Sequence, residues 1–236
     1  MNSIVAEKRY IANKLGVPYE SLSQSYLRSE TEVATQSVVD FTLQTNKVLA
    51  PLVTERLLDL NDEFVITHFH VGIKHVTDKT SDTEQLEALV QTYDSYSFGT
   101  GEDYLAGTNM SIASVYNGDL NFTIDRTEFI PNFPVRAFYR VPDTLQDFAG
   151  TSAIGIPSLV GGSPAELYES TCDRLASNET SLYGFFPSEP TKIDGRQTID
   201  LSVNLGANIQ LFSNTTPGTN YVVFEARGYL ITNAND

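Results

Sequence analysis

From Ile199 to Leu211 every odd position is apolar: Ile199, Leu201, Val203, Leu205, Ala207, Ile209 and Leu211. Between them stand Asp200, Ser202, Asn204, Gly206, Asn208 and Gln210. A helix repeats at 3.6 residues and cannot sort such a run into two faces, whereas a strand repeats at two and does. The run predicts one long strand, or two joined at Gly206, with one face buried. Tyr221–Thr232 reads the same way. Val222, Phe224, Ala226, Gly228 and Leu230 form its apolar or small face, and Glu225 and Arg227 point away. Thr215-Thr216-Pro217-Gly218, between the two runs, is turn chemistry.

Upstream, Phe64–Val76 alternates, with Val65, Thr67, Phe69, Val71 and Ile73 on the expected core face. Met110–Tyr116 and Asp119–Asp125 flank Asn117-Gly118, a dipeptide favoured in tight type I′ hairpins. Leu120, Phe122 and Ile124 should then point inward. Phe133–Tyr139 reads as a shorter strand bounded by prolines, near a sheet edge. Two capping boxes open helices. Ser81 with Glu84 starts one through about Thr92, with Leu86, Leu89 and Val90 as its apolar side. Ser163 with Glu166, and Pro164 at the first helical position, starts another to about Ala176. Residues 145–163, rich in Gly, Ser and Ala, read as a long loop. About eight or nine strands with two inserted helices predict a mainly β chain, an antiparallel β-sandwich.

The 236 residues suit one domain or two small ones. Fifteen Lys and Arg against 30 Asp and Glu give a net charge of −15. A broad basic groove for nucleic acid is not expected, because neutralising phosphates takes clustered Lys and Arg. Cys172 is the only cysteine, which excludes an internal disulfide and a Cys-based zinc site. No run approaches the length of a membrane span, and Met1–Gly16, with Glu7, Lys8, Arg9 and Lys14, lacks the apolar core of a signal peptide.

The charge is unevenly placed. Residues 1–50 hold five basic and five acidic side chains, so residues 51–236 carry the whole −15. With Pro51 following the shift, the expected division is an N-terminal arm, 1–50, and a globular body, 51–236. The arm begins as a helix, with Ser3 as cap, Ile4, Ile11 and Leu15 near one face, and Gly16 and Pro18 ending it. A helix this short is marginal alone and needs an apolar surface. A neighbouring copy's sandwich is expected to provide it. From Val33 to Leu43 the pattern turns to β, with Val39, Phe41 and Leu43 on one side.

Candidate sites are few. His68, His70 and His75 are all the histidines, and His68 and His70 share a face of one strand. His-x-His can present two imidazoles to a metal. The cupin pattern also needs a carboxylate three or four residues on and a distant third His, whereas Val71, Gly72, Ile73 and Lys74 follow here. Solvent-face or interface histidines are expected. Asp59-Leu60-Asn61-Asp62-Glu63 is acidic enough for a hard cation, but Phe64 stands where an EF-hand loop needs Gly, so a solvated turn is expected. Gly99-Thr100-Gly101 lacks the third Gly of a dinucleotide fingerprint, Tyr104 standing there, and Cys172 lacks a basic niche. Asn109, Asn121, Asn178 and Asn214 open Asn-x-Ser/Thr triplets at about the frequency chance gives. No catalytic, cofactor-binding or metal residue is expected, no cofactor, and no enzyme.

The segment Thr54-Glu55-Arg56-Leu57-Leu58-Asp59-Leu60-Asn61-Asp62-Glu63-Phe64-Val65-Ile66-Thr67, the long late strand and the closing Phe224-Glu225-Ala226-Arg227-Gly228-Tyr229-Leu230-Ile231 resemble bacteriophage coat proteins of the jelly-roll kind, over residues 50–236. The resemblance implies a jelly-roll β-sandwich of eight strands, inserted helices that shape contacts between neighbours, and an arm reaching across adjacent subunits. It implies a structural virion protein that self-assembles into an icosahedral capsid. Its partners would be copies of itself, with other virion proteins or an internal membrane. One departure bears on the genome. Lys8, Arg9, Lys14 and Arg28 stand against Glu7 and Glu20 in the first 28 residues, too weakly basic for direct nucleic-acid binding. The alternative expectation is a carbohydrate- or receptor-binding β-sandwich, motivated by 12 Tyr and 13 Phe and weakened by the absence of Trp.

Overall fold

A computed structural model describes residues 3–33, 35–45, 52–76, 78–87, 90–91, 114–138, 185–210 and 218–232. In chain order its elements are α1 (Ser3–Leu15), β1 (Ser23–Glu32), β2 (Thr35–Phe41), β3 (Glu63–Val76), α2 (Asp82–Glu87), β4 (Val90–Gln91), β5 (Asp119–Ile124), β6 (Thr127–Pro134), β7 (Phe186–Asp194), β8 (Ile199–Gln210) and β9 (Thr219–Ile231). The strands form two antiparallel sheets. Sheet A runs β1-β9-β3, with β7 and the two-residue β4 sharing the far edge of β3, and sheet B runs β2-β8-β5-β6.

The apolar faces of the sheets meet. Phe64, Ile73, Val222 and Phe224 of sheet A pack with Phe41, Leu120, Phe122 and Val203 of sheet B. The Phe224 ring lies 6.0 Å from Phe41 and 6.4 Å from Phe122, so aromatic contacts bridge the two layers. Strand β8 has the expected register, with Leu201, Val203 and Leu205 buried and Asn204 exposed. Of the two alternatives the single long strand is found, running through Gly206 at φ 74°; there Gln36 pairs with Ile209 but Val38 with Asn204, so β8 holds extra residues against β2.

The arm does not extend to residue 50. Residues 23–41 supply β1 and β2, which pair with β9 and β8, and Leu27, Val39, Phe41 and Leu43 belong to the main core. Of the described residues ahead of β1, α1 and the short turn after it lie outside the sheets. Nor does α1 leave its apolar face for a neighbour: Ile11 and Ala12, with Leu22, bury against Val65, Tyr229 and Ile231 on the outer face of sheet A. Ile4 remains half-exposed.

Other expectations shift for local reasons. The alternation of β3 breaks at Thr67, an extra residue between Ile66, opposite Gly228, and His68, opposite Arg227. The bulge moves Phe64 and Ile66 to the core with Phe69, Val71 and Ile73, and sends Val65 to the outer face. Gly228 answers it across the ladder, since a Cβ there would meet the Val65 carbonyl oxygen at 1.8 Å. Asn117-Gly118 does not form the hairpin. Residues 114–117 make a 3₁₀ turn, and the tight turn is Asp125-Arg126, both at positive φ (48° and 69°), between β5 and β6. Phe133–Tyr139 is not a separate strand, because β6 ends at Pro134 and residues 135–138 form a 3₁₀ turn. Ser81 does cap α2, its Oγ accepting from the Glu84 amide at 3.3 Å, but the helix does not reach Thr92, since Val90–Gln91 are strand, and Leu86 is exposed. The helix expected over Ser163–Ala176 and the loop over 145–163 lie outside the described residues.

One end of the sandwich is laced by short turns. The Asp125 amide donates to the Thr198 carbonyl and Asp125 Oδ1 accepts from the Thr198 amide, both at 2.9 Å. Gln44 Nε2 donates to the carbonyls of Gly195 and Gln197 at 2.8 and 2.7 Å, and the Gly195 amide donates to the Asp62 carbonyl. The acidic run 59–63 sits at this end.

Candidate functional site

Two features of sheet A's outer face concentrate polar chemistry. The first is a groove of about 720 Å³, lined by Tyr26 on β1, Thr67 and His68 at the bulge, Phe185 before β7, and Arg227 and Tyr229 on β9, with Glu7 of α1 at its rim. The bulge shapes it by holding Thr67 Oγ1 3.2 Å from the Arg227 carbonyl, to which it donates, and 3.0 Å from His68 Nδ1. Arg227 lies flat over Phe185, 3.7 Å from the ring centre, and its Nε donates to Glu225 at 3.3 Å. Tyr26 is 41% exposed and carries the Arg56 guanidinium at 5.1 Å on its ring. Burial, then Glu7 and Tyr19, push the Tyr229 hydroxyl above its usual pKa. Planar cations and aromatic rings side by side suit stacking and hydrogen bonding to a polar, ring-shaped group.

The second feature is a buried ion cluster beside the groove. Lys74 and Glu30 have fully buried side chains 2.8 Å apart. Lys74 Nζ also donates to Thr54 Oγ1 at 2.8 Å, and Arg28 Nε donates to the other Glu30 oxygen at 2.8 Å. Glu55 accepts from the amides of Glu30 and Leu52 at 2.9 and 2.8 Å, so residues 52–56 are strapped over the sheet. The Arg28–Arg56 backbone bridge fixes the same strap to the edge of β1. Burial pulls the Lys74 ammonium below its usual pKa, against the upward pull of Glu30. Burial, with Glu32, Glu30 and Glu55 nearby, pushes Tyr221 up to about 12. Such a cluster is strongly held once formed, and breaking one partner leaves a buried charge.

The histidines do not converge. His68 lines the groove, whereas His70 is 4% exposed and packs its ring 5.6 Å from Phe138 and 5.2 Å from Phe185. Of the solvent-face or interface histidines expected, His68 is partly exposed in the groove and His70 is buried. His75 contributes backbone to β3, paired with Asn220. In the acidic run, Glu63 pairs with Lys192 at 2.7 Å and Arg196 donates to Asn61 at 2.7 Å, so its side chains point to different partners. Among the described residues no group of three His, Cys, Asp or Glu could hold a metal ion. Asn121 accepts from the Asn132 amide at 3.0 Å, inside sheet B. Residues 99–101, Asn109, Cys172, Asn178 and Asn214 lie outside the described residues.

The groove escaped sequence reasoning because its lining comes from five separate stretches. One local signal existed: Thr67, a polar residue in an otherwise apolar alternation, is where the bulge forms. Among the described residues no helix is long and apolar enough to cross a membrane. Comparison with protein-family models, with curated proteins and with solved structures returns no match.

Proposed function

We propose that this chain is a jelly-roll coat subunit, a structural virion protein that associates with copies of itself into a capsid shell. The observation that carries the reading is the strand order. Among the described residues, leaving aside the two-residue β4, eight strands pair first with last (β1 with β9), second with seventh (β2 with β8), third with sixth (β3 with β7) and fourth with fifth (β5 with β6). That nesting supports the jelly-roll plan, in which a single long hairpin is rolled into two sheets and which is common among viral capsids and also used by lectins and cupins. Fold alone does not fix function, so the choice within the plan rests on the resemblance of residues 50–236 to phage coat proteins. Other virion proteins or an internal membrane are the further partners proposed, and the acidic balance disfavours direct genome contact.

The groove favours a second reading, a carbohydrate- or receptor-binding sandwich, because Tyr26 and Arg227, both exposed, offer stacking and hydrogen-bonding groups together. Sedimentation velocity and negative-stain microscopy of the full chain separate the two. Shells or regular capsomers are the expected result. Monomers that persist at high concentration would overturn the coat reading, and monomers that bind glycans and lose them on Tyr26→Ala would establish the second.

A further inference from the structure

Charge is sorted across the sandwich. The four strands of sheet B contain no lysine or arginine. On their outer face the register sets Asp119 beside Asn204, Asp40 beside Ser202, and Thr123 between Asp200 and Glu128. Asp40, Asp119, Glu128 and Asp200 are all exposed, and none is ion-paired among the described residues. Val38 sits among them, 40% exposed, as the apolar point of this face. No described helix or strap covers it.

The opposite side of the sandwich carries the complement. Helix α1 holds Lys8, Arg9 and Lys14 against Glu7 alone. Arg9 and Tyr10 are exposed, Tyr10 by 56%. Lys8 rests on the Tyr19 ring at 4.2 Å and Arg56 on Tyr26 at 5.1 Å. Among the described residues Lys8, Arg9 and Arg56 form no ion pair with a carboxylate. Lys14 is already paired with Glu189, so the cations without an ion pair among the described residues are Lys8, Arg9 and Arg56, set among tyrosines that suit an interface core.

Two acidic faces repel, so a two-fold contact of sheet B with itself is disfavoured. The complementary surface lies on the far side of the same chain. A contact that joins the two is heterologous: each copy offers one surface to the neighbour before it and the other to the neighbour after it. Such contacts close into rings where the rotation allows. We propose that the acidic outer face of sheet B docks the α1 side of a second copy, with Arg9, Lys8 and the Arg56–Tyr26 stack opposite Asp40, Asp119, Glu128 and Asp200. The inference rests on the coat reading and names the surfaces by which that association proceeds.

The test is a charge swap in the full-length protein, followed by sedimentation velocity. One variant carries Lys8→Glu with Arg9→Glu, and the other Asp119→Lys with Asp200→Lys. All four positions lie on the surface, and circular dichroism with a cooperative melt checks that each variant folds. Wild-type chain should associate, less so as salt rises from about 0.05 to 0.5 M. Each variant alone should associate about tenfold or more weakly, since like charges then face each other at every junction. Mixed in equal amounts, the two variants should associate again, because both alternating junctions now set opposite charges together. Folded variants that associate as the wild type does, or a mixture that recovers nothing, would overturn the docking while leaving the coat reading intact. A wild-type chain that never associates would sink both.

Discussion

The two sheets obey the same alternation on their inner faces and differ wholly on their outer ones. Sheet B is wet: Asp40, Asp119, Asn204 and Asp200 are exposed on its outer face, which no described helix or strap covers. Sheet A is roofed by the chain itself. Helix α1 covers Val65, Tyr229 and Ile231, and the strap 52–56 closes over Lys74, Glu30 and Tyr221. In β9 the six residues Thr219–Phe224 are all buried, on both faces. A strand between two packed layers loses the polar side that makes alternation readable, and a strand with one solvated face keeps it.

Charge burial should separate the faces most. Glu30→Ala removes the carboxylate in contact with the buried Lys74, leaving it the Thr54 Oγ1 hydrogen bond beside the Tyr221 ring, and should cost about 3–5 kcal/mol. Asp200→Ala, also a lost carboxylate but on the bare face, should stay within about 0.5 kcal/mol. Urea denaturation of both variants checks the contrast, and similar losses would mean that the Lys74 cluster is hydrated. Replacing the pair together, Lys74→Met with Glu30→Leu, should recover most of the loss, because neither charge is then stranded.

Next in size is the roof itself. Ile11 is fully buried against sheet A, so Ile11→Ala should cost about 2–4 kcal/mol through lost burial and the cavity left behind. Val38→Ala on sheet B should cost well under about 1 kcal/mol, since Val38 is 40% exposed. A negligible Ile11 effect in a thermal melt would show that α1 detaches freely, returning it to the role of an arm.

The roof also predicts an alkaline transition. Tyr221 is raised from 10.0 to about 12, so between those values the folded state holds a proton that the unfolded state has released. Its contribution is complete below pH 10 and lost as pH rises towards 12, about 2 kcal/mol in all. Lys74 is lowered from 10.5, which acts in the opposite sense and only below 10.5, whereas Tyr229 and Lys14, also raised, act in the same sense as Tyr221 above it, so the substitution and not the interval identifies Tyr221. Tyr221→Phe should flatten the loss of stability between pH 10.5 and 12. An unchanged slope would place the titration elsewhere.

The same contrast explains what the sequence disclosed. Leu201, Val203 and Leu205 could be assigned to the core from their spacing because Ser202 and Asn204 are wet. Strand β1 could not. Its outward positions Arg28 and Glu30 are charged yet half-buried and buried, and its inward Ser29 is polar yet buried, so neither periodicity nor polarity marks it. That is why the charge-neutral first 50 residues looked separate from a body whose edges they complete. The bulge was marked only by the polarity of Thr67, because one extra residue inverts a face without altering composition. The Asp125-Arg126 turn was hidden because left-handed backbone is usually announced by Gly or Asn. The groove was illegible for a topological reason: β1, β3 and β9 meet only after the chain has closed on itself.

The smallest effect tests the wetness of sheet B directly. Asn204 stands opposite Asp119 in the β5–β8 ladder, and its Oδ1 accepts from the Gly206 amide at 2.9 Å. Asn204→Asp preserves that acceptor and the shape of the side chain, and changes only the charge. It sets two carboxylates directly across a strand pair, an arrangement that costs about 0.2–1 kcal/mol. On a solvated face the repulsion passes through water and falls with salt, so the penalty should be a few tenths of a kcal/mol and vanish near 1 M salt. One residue away the outcome reverses. Val203 is fully buried between the sheets, and Val203→Asp should prevent folding by placing an unpaired charge in the core. A large, salt-independent penalty for Asn204→Asp would mean that this face is covered in the isolated chain, and the difference between the two sheets would collapse.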